Sequence, residues 1–159
     1  MVRWLCCVQK SIGYCLFKEY QNTTKSHSQV WKTLSNLTQQ PQPPQAVLDQ
    51  IIGLYNQGQF ETVLSKAELM INLFPKAVDL YNIQGSANVG LCRYDEASRC
   101  YMHGLKIQPN HAELNNNLGW VFHATGNLEK AMIAYDAAIK IQPKYAEAYN
   151  NRGTCLNLL

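Results

Sequence analysis

Leu105-Lys106-Ile107-Gln108-Pro109 returns 34 residues later as Ile139-Lys140-Ile141-Gln142-Pro143, and this recurrence decides the fold. The register extends in both directions. Pro75, Pro109 and Pro143 are 34 apart, as are Gly85, Gly119 and Gly153. Ala97 and Ala131, Tyr101 and Tyr135, and Ile107 and Ile141 keep the same spacing, and Gly58 and Gly126 lie two periods apart. Leu114-Asn115-Asn116-Asn117 aligns with Ala148-Tyr149-Asn150-Asn151. A fixed period of this length marks a repeat architecture, in which a unit buries its apolar face against its neighbours.

Each period reads as a pair of helices. Leu128, Ala131, Met132, Tyr135, Ala138 and Ile139 recur at intervals of three and four, which predicts one apolar helical stripe over 128–141. Asp95, Glu96 and Glu129 fall in first turns and Lys106 and Lys140 in last turns, as the helix dipole favours. Pro109 and Pro143 lie just past helix ends, where the missing N–H stops the helix. Gly126-Asn127 marks the turn inside its unit. Cys92 occupies the column of Gly58 and Gly126, so a turn with positive φ would strain it.

These residues resemble the tetratricopeptide repeat family, whose 34-residue pattern is W-x2-L-G-x2-Y…A-x3-F…P. The third period matches it with Asn115, Leu118-Gly119, Phe122, Ala131, Tyr135 and Pro143. The second matches with Tyr81, Gln84-Gly85, Asn88, Ala97, Tyr101 and Pro109. The first departs most, with Ile51 for the glycine and Val63 for the alanine, while Tyr55, Gly58, Phe60, Ala67 and Pro75 hold the register. The resemblance implies an all-α, right-handed superhelical solenoid of antiparallel helix pairs. It covers 44–159, as units 44–77, 78–111 and 112–145 and a truncated fourth unit, 146–159, which stops inside a helix with no capping partner. Small Gly85, Gly119, Ala97 and Ala131 would let the paired helices approach, and Tyr101 and Tyr135 would fill the space between units.

The same resemblance places the first helix of each unit along a concave groove. That groove would take Leu48, Asp49, Ile52 and Tyr55, then Asp79, Asn82, Ser86 and Val89. Glu113, Asn116, Asn117, Trp120 and His123 would follow, then Glu147, Asn150, Asn151 and Thr154. Asparagine amides can both donate to and accept from an extended peptide backbone. Asn117 and Asn151 are similar to the asparagine ladder of O-linked N-acetylglucosamine transferases, while the second unit has Ile83 in that column and Asn82 beside it. The expected partner-binding residues are Asn82, Asn116, Asn117, Trp120, His123, Asn150 and Asn151, with Trp120 as the aromatic contact. Chaperone-binding members hold an acidic C-terminus with a basic carboxylate clamp. Here Leu48, Ile52, Ile83, Glu113 and Asn117 stand in the clamp columns, so a chaperone carboxylate-clamp role is not expected.

Composition narrows the alternatives. The 159 residues are 47% hydrophobic and 16% charged with a net charge of +3, an ordinary globular balance that does not favour nucleic-acid binding. No apolar run approaches the roughly 18 residues of a membrane span. The charge is uneven: residues 1–43 carry five Lys/Arg against Glu19 alone, while the remainder carries nine basic and ten acidic residues. Cys6, Cys7, Cys15, Cys92, Cys100 and Cys155 form no C-x-x-C pair and no zinc-spaced cluster, so reduced, mostly buried thiols are expected and no metal.

Residues 1–43 do not repeat and form a separate basic segment. Val30, Trp31, Leu34 and Leu37 predict a short helix, and Gln39 to Gln45 a Gln/Pro hinge. Trp4-Leu5-Cys6-Cys7-Val8 is too short for a signal-peptide core, so the sequons at Asn22 and Asn36 read as chance matches and the chain as cytoplasmic. Membrane attachment through the basic, Cys-bearing residues 1–25 is the weakest alternative.

No nucleophile elbow, P-loop, H-E-x-x-H or G-x-G-x-x-G occurs, and His103, His111 and His123 are isolated, His111 as a solvated loop residue. No catalytic residue and no cofactor are assigned. The expected function is a non-catalytic protein–protein interaction module that binds a protein or peptide partner in its groove. The alternative is the substrate-selecting N-terminal repeat region of a larger transferase. The Gln/Pro hinge followed by Leu54-Tyr55-Asn56-Gln57-Gly58-Gln59-Phe60 resembles the repeats that precede bacterial glycosyltransferase or sulfotransferase domains.

Overall fold

The computed structural model describes residues 42–158. The expected helix around residues 30–37, residues 39–41 of the Gln/Pro hinge, Cys6, Cys7, Cys15, and the sequons at Asn22 and Asn36 lie outside the described residues. Those described form an all-α solenoid of seven helices and no strand: α1 (Gln45–Asn56), α2 (Phe60–Leu73), α3 (Val78–Gly90), α4 (Tyr94–Ile107), α5 (Ala112–Ala124), α6 (Leu128–Ile141) and α7 (Ala146–Leu156).

One turn chemistry closes all three hairpins. Gly58, Cys92 and Gly126 have φ of 73°, 58° and 77°. The next residue's N–H then reaches back to a carbonyl of the preceding helix: Gln59 to Leu54 at 3.0 Å, Arg93 to Asn88 at 2.8 Å and Asn127 to Phe122 at 2.8 Å. This cap satisfies carbonyls that the helix end would orphan, and it needs a left-handed residue. Glycine adopts that conformation freely, whereas Cys92, an exposed thiol rather than a buried one, adopts it with strain. Cys92→Gly is therefore expected to raise stability by about 1 kcal/mol, net of glycine's larger unfolded-chain entropy. Urea unfolding checks it, and a lower midpoint would contradict the strain.

Between hairpins, prolines do the stopping: Pro75, Pro109 and Pro143 stand two residues beyond the ends of α2, α4 and α6. His111 differs from the expected solvated loop residue. Its Nδ1 accepts the N–H of Leu114 at 3.3 Å and so caps α5. Asn127 does the same for α6, accepting from the Lys130 N–H at 3.4 Å.

Packing follows the small-residue columns. A Cβ added at Gly119 would lie 2.7 Å from the Tyr135 ring, so α5 and α6 are close because residue 119 has no side chain. Gly85 faces the Tyr101 ring across α3 and α4 in the same way. Tyr101 reaches beyond its own hairpin, joining Val78, Ala97, Leu114, Leu118 and Val121 in one core cluster. Burial pushes its phenol up to about 12, and its hydroxyl lies 3.2 Å from Ser86 Oγ. Trp120 stands in the Ser86 column of the next unit, and the buried Tyr135 hydroxyl has no hydrogen-bond partner among the described residues.

The helices divide into two layers. Each helix packs on its sequence neighbours, and in addition α1 packs on α3, α3 on α5 and α5 on α7. The odd-numbered helices thus share a layer in lateral contact, which makes their side the inner face of the stack.

Candidate partner-binding groove

The inner layer is indented where α1, α3 and α5 meet, forming an open cleft of about 340 Å³. Its apolar wall comes from Leu48, Ile52 and Tyr55 on α1 and Ile83 on α3. Spacings of three and four put the α1 residues on one helix face. Leu48 is buried, whereas Ile52 is 41% exposed and open to an incoming group. Ring contact with Phe60 at 5.4 Å supports Tyr55 from behind. Asp79 and Glu113, in the first turns of α3 and α5, form the polar rim.

The asparagines form a relay between helices. Asn82 Nδ2 donates to Glu113 Oε1 at 2.7 Å, and Asn82 Oδ1 accepts from Asn117 Nδ2 at 2.9 Å. One period later Asn116 Nδ2 donates to Glu147 Oε1 at 3.1 Å, and Asn116 Oδ1 accepts from Asn151 Nδ2 at 3.0 Å. The same three columns therefore lace α3 to α5 and α5 to α7. Between α1 and α3 the Asn–Asn pair is replaced by Leu48 and Ile83, both packed in the first core cluster.

This relay changes what the expected site residues offer a partner. Asn116 is 1% exposed, and both ends of its amide are occupied, so it is an internal strut rather than a free groove contact. Asn82, Asn117 and Asn151 are half-buried and engaged with one another's helices. Asn150 stands in the Asn82 and Asn116 column on α7 and is exposed. Trp120 is 39% exposed and leans on Tyr94 of α4, with ring centroids 6.1 Å apart, outside the lining of the cleft. His123 is half-buried in the last turn of α5. The expected residues thus fall into two bridged pairs, Asn82 with Asn117 and Asn116 with Asn151, and of all seven only Asn82 lines the cleft.

Asp79 and Glu113 were expected along the groove and line the cleft, whereas Ile83, part of its apolar wall, was not among the expected groove residues. A signal for the relay was present in the recurrence of Glu113 with Glu147 and Asn117 with Asn151, but only contacts reveal that these columns meet Asn82 and Asn116. Charge is also sorted between layers. The odd helices carry Asp49, Asp79, Glu113 and Glu147 against Arg152 alone, and Arg152 Nε is tied to Asp136 of α6 at 2.5 Å. Lys66, Arg99, Lys106, Lys130 and Lys140 all lie on even helices. No cluster able to hold a metal occurs among the described residues, and none of their helices is long and apolar enough to cross a membrane.

Comparisons with known proteins bear on this architecture. Profiles described as tetratricopeptide repeats match residues 78–111 and 100–132, and one described as a TPR repeat matches 119–155. No curated protein matches the sequence significantly. Solved structures are similar in fold. The Arabidopsis OM64 TPR domain superposes with a TM-score of 0.69 at 13% identity, over 72% of this chain and 95% of that one. The first TPR of Spaghetti (RPAP3), bound to the HSP90 peptide SRMEEVD, gives 0.68 at 16% identity, over 71% and 90%. MamA gives 0.67 at 22% identity, over 82% and 72%. With the 34-residue period, the three shared hairpin caps and the glycine-on-tyrosine packing already in place, these matches show that the chain belongs to the tetratricopeptide repeat family.

Proposed function

We propose that the array is a non-catalytic protein–protein interaction module that holds a peptide or partner segment in the cleft between α1, α3 and α5. The observation that supports this reading is the cleft itself. It combines an apolar wall at Leu48, Ile52 and Ile83 with a polar rim, the usual composition of a small recognition pocket. Its volume suits one or two side chains of an extended segment. The asparagine relay adds rigidity, since amides bridged between helices hold the groove in shape before a partner arrives. Trp120 and Asn150 extend the surface along the inner layer as further contacts.

The Spaghetti domain is bound to an acidic peptide, but in this chain Leu48, Ile52, Ile83, Glu113 and Asn117 stand in the clamp columns without a cation among them. We therefore read the groove as unsuited to an acidic C-terminus. A transferase with this repeat region would present the same groove, so the geometry lends that alternative no separate support.

Peptides selected from a random display library against the full chain test the proposal. Their affinity is expected to fall about tenfold or more in Ile52→Lys, because an ammonium replaces the open apolar contact. Ile133→Ser, on the outer helix α6 at a residue 71% exposed, is expected to leave it unchanged. Loss in the Ile133 variant with retention in the Ile52 variant would move the interaction to the outer face.

A further inference from the structure

We propose that the segment held between α1, α3 and α5 is basic, presenting one apolar side chain flanked by Lys or Arg. This rests on the reading of the cleft as a peptide site and names its chemistry. Leu48, Ile52 and Ile83 form the apolar wall, and Asp79 and Glu113 stand at its mouth. The Asp79 carboxylate makes no ion pair among the described residues. Glu113 gives Oε1 to Asn82 and keeps Oε2 for another donor.

First-turn acids alone would mean little, because a helix N-terminus favours a carboxylate whatever lies nearby. Asp95, Glu96 and Glu129 play that part on α4 and α6, and those helices also carry Lys106 and Lys140 in their last turns. The inner helices differ. α1, α3 and α5 have acids but no Lys or Arg at all, and the single cation of α7, Arg152, is neutralised by Asp136. The helix dipole accounts for the acids but not for the missing cations. Asp49 and Glu147 continue the same sign along the inner helices, while Lys76 and Lys144 stand in the connections before α3 and α7, so an approaching segment meets helices that bear acids and no free cation around an apolar wall. Such a surface attracts a basic segment and opposes an acidic one, while the wall takes the apolar side chain between the charges.

The test uses the full chain and four fluorescent decapeptides, acetylated and amidated to remove terminal charge. Three carry a central Leu flanked by Lys/Arg, by Ser or by Glu, and the fourth keeps Lys/Arg but replaces Leu with Ser. Anisotropy titrations are run at 50 and 300 mM NaCl. The Lys/Arg–Leu peptide is expected to bind about tenfold or more tighter than the Glu–Leu peptide at low salt, with the gap narrowing at high salt. Asp79→Asn with Glu113→Gln is expected to bring it to the level of the Ser–Leu peptide, and Ile52→Ser to weaken all three Leu peptides by a similar factor.

Equal or tighter binding of the Glu–Leu peptide, still sensitive to Ile52→Ser, would overturn the basic preference and leave the groove reading standing. A basic preference that survives all three substitutions would place the charge recognition elsewhere and overturn the inference. Binding of the Lys/Arg–Ser peptide as tight as the Lys/Arg–Leu peptide would overturn the apolar half. No binding by any peptide up to millimolar concentration would overturn the groove reading itself.

Discussion

Gly119→Ala is expected to lower stability by about 2–3 kcal/mol, whereas Gly153→Ala, in the same repeat column, is expected to raise it by about 0.5–1 kcal/mol. The two substitutions are chemically identical and differ only in what the new methyl meets. At position 119 it would sit 2.7 Å from Cδ1 and Cε1 of Tyr135. That ring is fully enclosed, so it cannot swing away into solvent. Ala131 beside it is fully buried, and Phe122, Leu128 and Met132 close the cluster. Either α5 and α6 move apart or the ring leaves its rotamer, and each costs packing along the whole hairpin. At position 153 nothing lies within 4 Å of the new methyl, and only the helix-forming advantage of alanine remains. Thermal and urea unfolding of the two variants measure the contrast. A loss of that size corresponds to about 8–12 °C in Tm for an array of this size, so the effect is large against normal scatter. Tolerance of Gly119→Ala would mean that the inter-helix distance is not set by this column.

Asn116→Leu is expected to cost about 2 kcal/mol, and adding Asn151→Ile to recover most of it. The single change removes two hydrogen bonds at a fully buried position and leaves the Asn151 amide without its acceptor. The double change copies what the chain already does between α1 and α3, where Leu48 and Ile83 fill these columns. Replacing both partners of a buried polar pair by fitting apolar groups is close to neutral, whereas replacing one is not. Because stability in a repeat array is mostly a nearest-neighbour sum, the single variant should loosen the α5–α7 interface first. Hydrogen exchange is expected to show lost protection in α7, with α1 to α4 unchanged. If the double variant is as unstable as the single, Glu147 rather than the Asn pair carries the bridge.

The period was legible in the sequence because its columns are constrained by backbone geometry and close approach. Gly119 and Tyr135 recur at the spacing of Gly85 and Tyr101, since a missing side chain and a ring that fills its place must be repeated together. Cys92 could be read as strained for a similar reason: its column needs a left-handed residue, and φ is 58° there. The groove was less legible. Asparagine, glutamate and tryptophan on a helix surface look alike in one dimension whether they face solvent, a partner or the next unit.

The amino-acid sequence by itself determined the all-α repeat architecture, the pairing of helices and the residues that let them approach. These follow from local conformation and from short-range contacts, such as glycine on tyrosine, that recur every 34 residues. Tertiary structure decided which polar side chains were already taken. Offsets of 31 and 35 residues bring Glu113 and Asn117 to Asn82, and Glu147 and Asn151 to Asn116. It also brought Asp79 and Glu113 to one cleft, on helices that carry no Lys or Arg. A side chain's availability depends on the distance and burial of its neighbours across the stack, and neither quantity exists until the helices pack.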